Sequence, residues 1–196
     1  MRILLLVIWM LIPIGGLAYH LGPGQTDLKQ DQASQALHLA EHYVSTEKYA
    51  HAQQQYEVAL ELLPEESKAT EQRARLEKAK VQMLNGQLAF AELDLEGLLS
   101  ELIDEGEEAD QQLLTETRTA YANSKYYITW LMRLEGRPRG EWEPESENAQ
   151  QTYRLLAEQA AEAGEETETR LHDLESAVRL ARMDIGELQA LPLPNQ

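Results

Sequence analysis

Residues 36–66 read ALHLAEHYVSTEKYAHAQQQYEVALELLPEE. Apolar residues recur three and four positions apart on both sides of the polar break at 45–48, which predicts two amphipathic helices joined by a short turn. Small and large residues alternate along these helices, at Ala40, Tyr43, Tyr49, Ala52, Tyr56 and Ala59. Alanines allow two helices to approach closely, and tyrosines fill the groove beside them. Pro64 then predicts the end of the second helix.

This spacing resembles the tetratricopeptide repeat (TPR), a helix–turn–helix unit of about 34 residues. Ala40 occupies the family's small position in the first helix, Tyr49 its turn aromatic, and Pro64 its closing proline. The resemblance implies an all-α fold in which antiparallel helix pairs stack into a right-handed superhelix. It also implies that the first helix of each pair lines a concave binding surface.

Weaker copies of the unit follow along the chain. Positions of the second copy that match the first are Ala79, Gly86, Leu88, Ala91, Leu95 and Leu98. We therefore place the best repeats at 33–66 and 72–105, and a looser third unit at 108–163. The last segment, 165–189, has a single apolar seam, which suits a capping helix over the end of the stack.

No strand pattern occurs between Leu28 and Leu188, and glycines and prolines separate the helical segments. The sequence predicts seven helices, at 28–46, 49–63, 66–85, 88–104, 108–134, 145–163 and 165–189. Gly136–Gly140 is predicted to be a loop, inside an insertion at 135–144. Residues 26–189 then form one helical domain, and a proline-containing tail follows at 190–196.

Residues 1–25 read MRILLLVIWMLIPIGGLAYHLGPGQ and form a targeting segment. The apolar run of 3–21 approaches the roughly 20 residues of a membrane-spanning helix, which predicts a signal anchor. Gly16 and Ala18 have the spacing that signal peptidase requires, so a cleaved signal peptide is the alternative. Arg2 favours a cytoplasmic N-terminus. The body of the chain is therefore expected outside the cytoplasm, in the periplasm or at the cell surface, and tethered to the membrane if 3–21 is retained.

Composition excludes several classes of function. The 196 residues contain no cysteine, so disulfide frameworks, thiolate metal sites and thiol nucleophiles are excluded. The formal net charge of −17 argues against nucleic-acid binding, which depends on clustered Lys and Arg. No nucleophile elbow or phosphate-binding glycine loop occurs, so we do not expect an enzyme or a cofactor.

One motif points to metal chemistry. Residues 38–42 have the pattern H-x-x-E-H, which resembles the zinc-binding run of inverted zincin proteases. His38 and His42 lie one helical turn apart and share a face. Catalytic zinc also needs a third protein ligand and an open fourth position, and those proteases use an α/β fold that this helical sequence does not predict. We therefore interpret both histidines as solvated helix residues and assign no metal ligand.

The family resemblance places a partner groove on two helices. Its matched positions are Leu37, Glu41 and Val44 in the first repeat and Leu76, Lys80 and Met83 in the second. Chaperone-binding relatives grip a terminal carboxylate there with Lys, Asn and Arg, whereas Lys80 is the one clear cation in this set. The mixture instead suits an amphipathic helix or an extended segment of a protein partner. Core packing is the alternative role of the four apolar positions.

A second candidate surface is the loop patch formed by Arg137, Arg139 and Trp142. Tryptophan and arginine dominate interface hot spots, and these three residues fall within the predicted insertion. We expect them to contact an acidic partner or membrane headgroups. The whole chain is thus predicted to be an adaptor or scaffold in an envelope complex. The alternatives are a self-associating helical protein and, less favoured, a metallohydrolase at 38–42.

Overall fold

The computed structural model describes residues 23–189, and every regular element within that range is a helix. The helices are α1 (Pro23–Ser45), α2 (Tyr49–Leu62), α3 (Lys68–Leu84), α4 (Leu88–Glu105), α5 (Gln111–Leu134), α6 (Arg139–Ala163), α7 (Glu168–Arg182) and α8 (Ile185–Gln189), with one 3₁₀ turn at Gly106–Glu108. The all-α prediction is confirmed. The chain divides into two compact units, and the boundary lies within α3 between Ala74 and Arg75.

The first unit contains the α1–α2 hairpin. Its buried residues are almost all alanines, at Ala33, Ala36, Ala40, Ala52 and Ala59, with Tyr56 between them. Such small side chains let the two helices pack closely along their length. The three-residue turn is closed by the amide of Lys48, which donates to the carbonyl of Tyr43 at 2.8 Å. Glu47 adopts a positive φ of 57° in this turn, a conformation that glycine adopts more easily.

In the second unit α4 to α7 pack mainly on their neighbours in sequence, and the short α8 packs on α5. The part of α3 after Ala74 runs antiparallel to α4, because Arg75 pairs with Glu101 at 2.6 Å and Lys78 with Asp94 at 2.8 Å. The core of this unit is a series of clusters rather than one centre. Its main members are Leu76, Leu95, Leu98, Leu102 and Leu113 first, Ala122, Ala149, Tyr153 and Leu156 next, and Trp130, Leu180 and Leu188 last.

Several helix boundaries differ from the prediction, most of all the start of α6. α6 begins at Arg139 rather than 145, so the last two residues of the predicted loop at 136–140 and the rest of the insertion, to residue 144, are helical. Pro144 is the sixth residue of α6, where its missing N–H removes one early hydrogen bond without preventing the helix. The i,i+4 ion pairs Arg137–Glu141 and Arg139–Glu143 support the added turns.

The predicted helix at 165–189 is two helices, α7 and α8. Asp184 lies between them, and its carboxylate accepts from the amide of Glu187 at 2.8 Å. The Glu187 carboxylate in turn accepts from the amide of Asp184 at 3.0 Å. This reciprocal pair is a capping box, which begins a new helix at Ile185 and so ends the previous one.

None of the helices from residue 23 to residue 189 combines the length and apolarity needed to cross a membrane. The predicted signal or anchor run at 3–21 and the tail at 190–196 lie outside the described residues.

Candidate interaction surfaces

In the first unit the predicted groove residues lie along α1. Leu37 and Val44 are half-buried, and Glu41 is exposed. The Glu41 carboxylate lies 3.6 Å from Nδ1 of His38, and both side chains are largely in solvent. A contact this exposed leaves the carboxylate accessible to a partner.

In the second unit the three predicted groove residues have different environments. Leu76 is fully buried in the cluster with Leu95 and Leu98, which is the core-packing role given above as the alternative for this position. Met83 is partly buried against the same cluster. Lys80 is half-exposed and pairs with Glu77 on its own helix at 2.8 Å. Of the three, Lys80 is the one that offers a polar group to solvent.

The H-x-x-E-H run lies on the exposed side of α1. His38 and His42 are both exposed, and the ring of His42 lies 6.0 Å from that of Tyr43. Among the described residues, no three His, Asp or Glu side chains come together as metal ligands would. The structure therefore places no third ligand beside these histidines in the range 23–189.

The loop patch is engaged in local contacts. Arg137 and Arg139 are exposed, and each forms an ion pair with a glutamate four residues later. Trp142 lies on α6 and is half-buried, with its ring 4.7 Å from the guanidinium of Arg133. The arginines of this patch are thus already paired with carboxylates of the same helix segment, which weakens the expected attraction for an acidic partner.

Arg133 fastens the end of α7 to α5. Its guanidinium donates to the backbone carbonyls of Leu180 and Met183, which belong to the last turn of α7 and the residue after it. These carbonyls have no partner inside a helix that is ending. Burial lowers the pKa of Arg133, which remains charged. The residue is therefore a positive cap on the negative end of a helix dipole.

Replacing Arg133 with alanine is expected to lower the free energy of unfolding by about 1–3 kcal/mol, because two carbonyls and the face of Trp142 lose their partner. Urea titration followed by tryptophan fluorescence measures the change. Arg137→Ala is the matched control, since Arg137 pairs with Glu141 in solvent, and it should change stability by no more than about 0.5 kcal/mol. Equal effects of the two substitutions would contradict the capping role.

Lys125 is the most deeply buried cation of the second unit for which contacts are described. Its side chain is 9% exposed and its Nζ donates to Glu92 of α4 and, at 2.7 Å, to Glu145 of α6. The ring of Tyr121 lies 5.3 Å from the same atom. Burial lowers the pKa of Lys125, but the hydrogen bonds to Glu145 and Glu92 outweigh it and raise the pKa overall. The lysine thus stays charged and joins three helices.

Sequence reasoning did not single out Lys125, although a signal existed. Thr117, Tyr121, Lys125 and Thr129 recur every four residues, so they share one face of α5, and all four are buried. A lysine on a buried helix face requires acidic partners from neighbouring helices. The sequence is rich in glutamate, so it does not indicate which glutamates pair with Lys125.

Beside this group lies a cluster of tyrosines around Asp173. Burial is the main cause that raises the pKa of Tyr153, and the nearby charge of Asp173 raises this pKa further. Burial likewise raises the pKa of Tyr126 and of Tyr127. These phenols remain protonated at neutral pH. The Tyr153 hydroxyl donates to Oδ1 of Asn123 at 2.6 Å and so links α6 to α5.

The largest exposed apolar side chains lie on one side of α4. Leu93 is 67% exposed and Phe90 is 64% exposed, the highest values for large apolar residues in the part of the chain whose side chains are described. Phe90, Leu93, Gly97 and Ser100 recur three and four residues apart and so share a face. We call this set the α4 outer face. Contiguous apolar exposure of this kind is typical of interaction sites.

Comparison with known protein families, with curated proteins and with solved structures gave no match to this chain.

Proposed function

We propose that the chain is an extracytoplasmic scaffold that binds a protein partner on TPR-like helix pairs, with residues 1–25 serving to export or anchor it. The observation that supports this most is the packing of most helices on their sequence neighbours, with alanines among the buried residues of these helices. Helical repeats built in this way leave one side of many helices uncovered, and such surfaces bind partners.

The proposal includes the finer features of the fold that the resemblance implies. These are the right-handed superhelix, the repeats at 33–66, 72–105 and 108–163, and a cap formed by the α7–α8 region. Burial of Ala40, Ala52 and Ala59 at the family's small positions supports the first repeat. In the second, buried Ala79, Ala91, Leu95 and Leu98 occupy the corresponding places.

Chemical cross-linking of the tagged full-length chain in its native membrane is expected to recover a distinct protein adduct, identified by mass spectrometry. Ala59→Pro is the folding-dependent control, because proline inside α2 removes a hydrogen bond and clashes with the preceding turn, at a cost of about 3 kcal/mol. The adduct should be lost in that variant. Adducts of the chain with itself alone would instead favour the self-associating alternative, and light scattering of the purified full chain would then show an oligomer.

A further inference from the structure

The charges of α4 are divided between its two sides. The helix carries six carboxylates and no Lys or Arg in its sequence LAFAELDLEGLLSELIDE. Glu92, Asp94 and Glu101 point toward neighbouring helices, where Lys125, Lys78 and Arg75 pair with them. The carboxylates that face the core side of the helix are therefore neutralised by this chain itself.

Two carboxylates of the same helix are left without such a partner. Glu96 and Asp104 are exposed, and neither forms an ion pair with any residue of the described range 23–189. Glu96 follows Leu93 by three residues and Asp104 follows Ser100 by four, so both border the α4 outer face. An apolar strip bordered by unpaired negative charge is complementary to an apolar strip bordered by positive charge.

Gly97 lies in the middle of this face and of the helix. A Cβ built there would meet only Nη2 of Arg75, at 4.0 Å, so nothing in the chain's own packing requires glycine. Glycine inside a helix is less favourable than alanine. A small residue at such a position permits another helix backbone to approach closely.

We propose that the α4 outer face binds an amphipathic helix of a protein partner, and this proposal rests on the scaffold function proposed above. Apolar side chains of the partner cover Phe90 and Leu93, its backbone approaches at Gly97, and its flanking lysines or arginines pair with Glu96 and Asp104. From Phe90 to Asp104 the face is about 21 Å long at 1.5 Å per residue, which matches a partner helix of roughly four turns.

The charge of the α4 outer face also favours a basic helix over two other possible occupants, a second copy of the chain and an anionic membrane. A second copy of the chain would bring the same carboxylates against Glu96 and Asp104, and like charges across an interface are unfavourable. A membrane with anionic headgroups would repel them for the same reason. A basic amphipathic helix gains from both the apolar and the charged part of the face.

The test uses the purified full chain and a fluorescein-labelled helical peptide with leucines on one side and lysines bordering them. Fluorescence anisotropy should show saturable binding that is lost when glutamates replace the lysines. Phe90→Ala/Leu93→Ala should weaken binding about tenfold or more, as expected for anchor residues. Glu96→Gln/Asp104→Asn should weaken it several-fold and reduce its salt dependence. Gly97→Leu should block the close approach of the peptide helix and so also weaken binding about tenfold.

Matched controls separate the face from the general acidity of the protein. Leu155→Ala removes an exposed leucine of α6, and Glu158→Gln/Glu162→Gln removes two exposed carboxylates of the same helix. Neither should change the affinity. Loss of binding in these controls equal to that of the face variants would overturn the proposal, as would unchanged binding in Gly97→Leu. Two further outcomes would overturn the proposal, because each assigns the face to another occupant. One is dimerisation that depends on Phe90 and Leu93, and the other is binding of phosphatidylglycerol vesicles that depends on the same two residues.

The cross-linking experiment distinguishes failure of this docking surface from failure of the proposed scaffold function. If Phe90→Ala/Leu93→Ala retains the native adduct, the scaffold function stands and this assignment of the face fails. If the lysine peptide binds the face but no native adduct forms, the docking surface stands and the envelope scaffold fails.

Discussion

Replacing Lys125 with alanine is expected to lower the free energy of unfolding by about 3–5 kcal/mol, the usual cost of removing one partner from a buried charge group. The substitution leaves Glu92 and Glu145, each 24% exposed, facing one another without their shared cation. It also removes the ammonium from the ring of Tyr121. Glu92 belongs to α4, Tyr121 to α5 and Glu145 to α6, so the loss affects the packing among these three helices.

Urea unfolding followed by tryptophan fluorescence measures this loss, since Trp130 and Trp142 both lie in the second unit. Arg154→Ala is the matched control: Arg154 is an exposed cation of α6 that forms no ion pair within the described residues. It should change stability by no more than about 0.5 kcal/mol. The triple variant Lys125→Met/Glu92→Gln/Glu145→Gln should recover part of the loss, because it removes the uncompensated charges together.

The pH dependence gives a second readout. The pKa of Lys125 is raised in the folded protein, so its contribution is fully present below its unfolded pKa of about 10.4 and is lost as the pH rises toward the folded value. The difference in stability between wild type and Lys125→Ala should therefore narrow above about pH 10.4. A difference that stays constant up to the unfolding pH would contradict the ionic role of Lys125.

Local sequence patterns predicted the helices well where each segment depends on its own residues. The α1–α2 hairpin follows from the alternation of Ala and Tyr, and α2 and α4 lie within one residue of the predicted bounds at each end. Both α2 and α4 have clear apolar periods, and they end just before Pro64 and Gly106, respectively. Apolar periodicity and helix-ending prolines or glycines are local features, so they can be recognised in a single sequence.

The errors occur where tertiary contacts or short-range polar bonds outweigh the pattern. The predicted insertion at 135–144 placed the start of this helix at 145, yet ion pairs with Glu141 and Glu143 accompany a helix that starts at Arg139. The capping box of Asp184 and Glu187 divides a continuous apolar seam into two helices.

Interaction surfaces are harder to predict from this sequence than helices, for a physical reason. Groove positions such as Leu76 are apolar whether they bind a partner or form the core, and only burial distinguishes the two roles. The α4 outer face was missed because its residues follow the same period as the core residues of that helix. An exposed apolar strip and a buried one differ in what covers them, which periodicity alone does not show.

Replacing Leu98 with alanine is expected to lower the free energy of unfolding by about 2–5 kcal/mol, because it removes a fully buried side chain and leaves a cavity in the cluster with Leu95 and Leu102. Leu93→Ala makes the same chemical change on the same helix at a position that is 67% exposed. It should alter stability by no more than about 0.5 kcal/mol. Urea unfolding of both variants of the full chain makes the comparison.

The pair of leucines thus separates packing from recognition on one helix. Leu98→Ala should destabilise the second unit, whereas Leu93→Ala, tested with the lysine peptide, should weaken binding while the melting temperature stays unchanged. A loss of stability in Leu93→Ala as large as that in Leu98→Ala would mean that the chain itself covers Leu93. In that case the α4 outer face would be part of the fold, and no partner helix could occupy it.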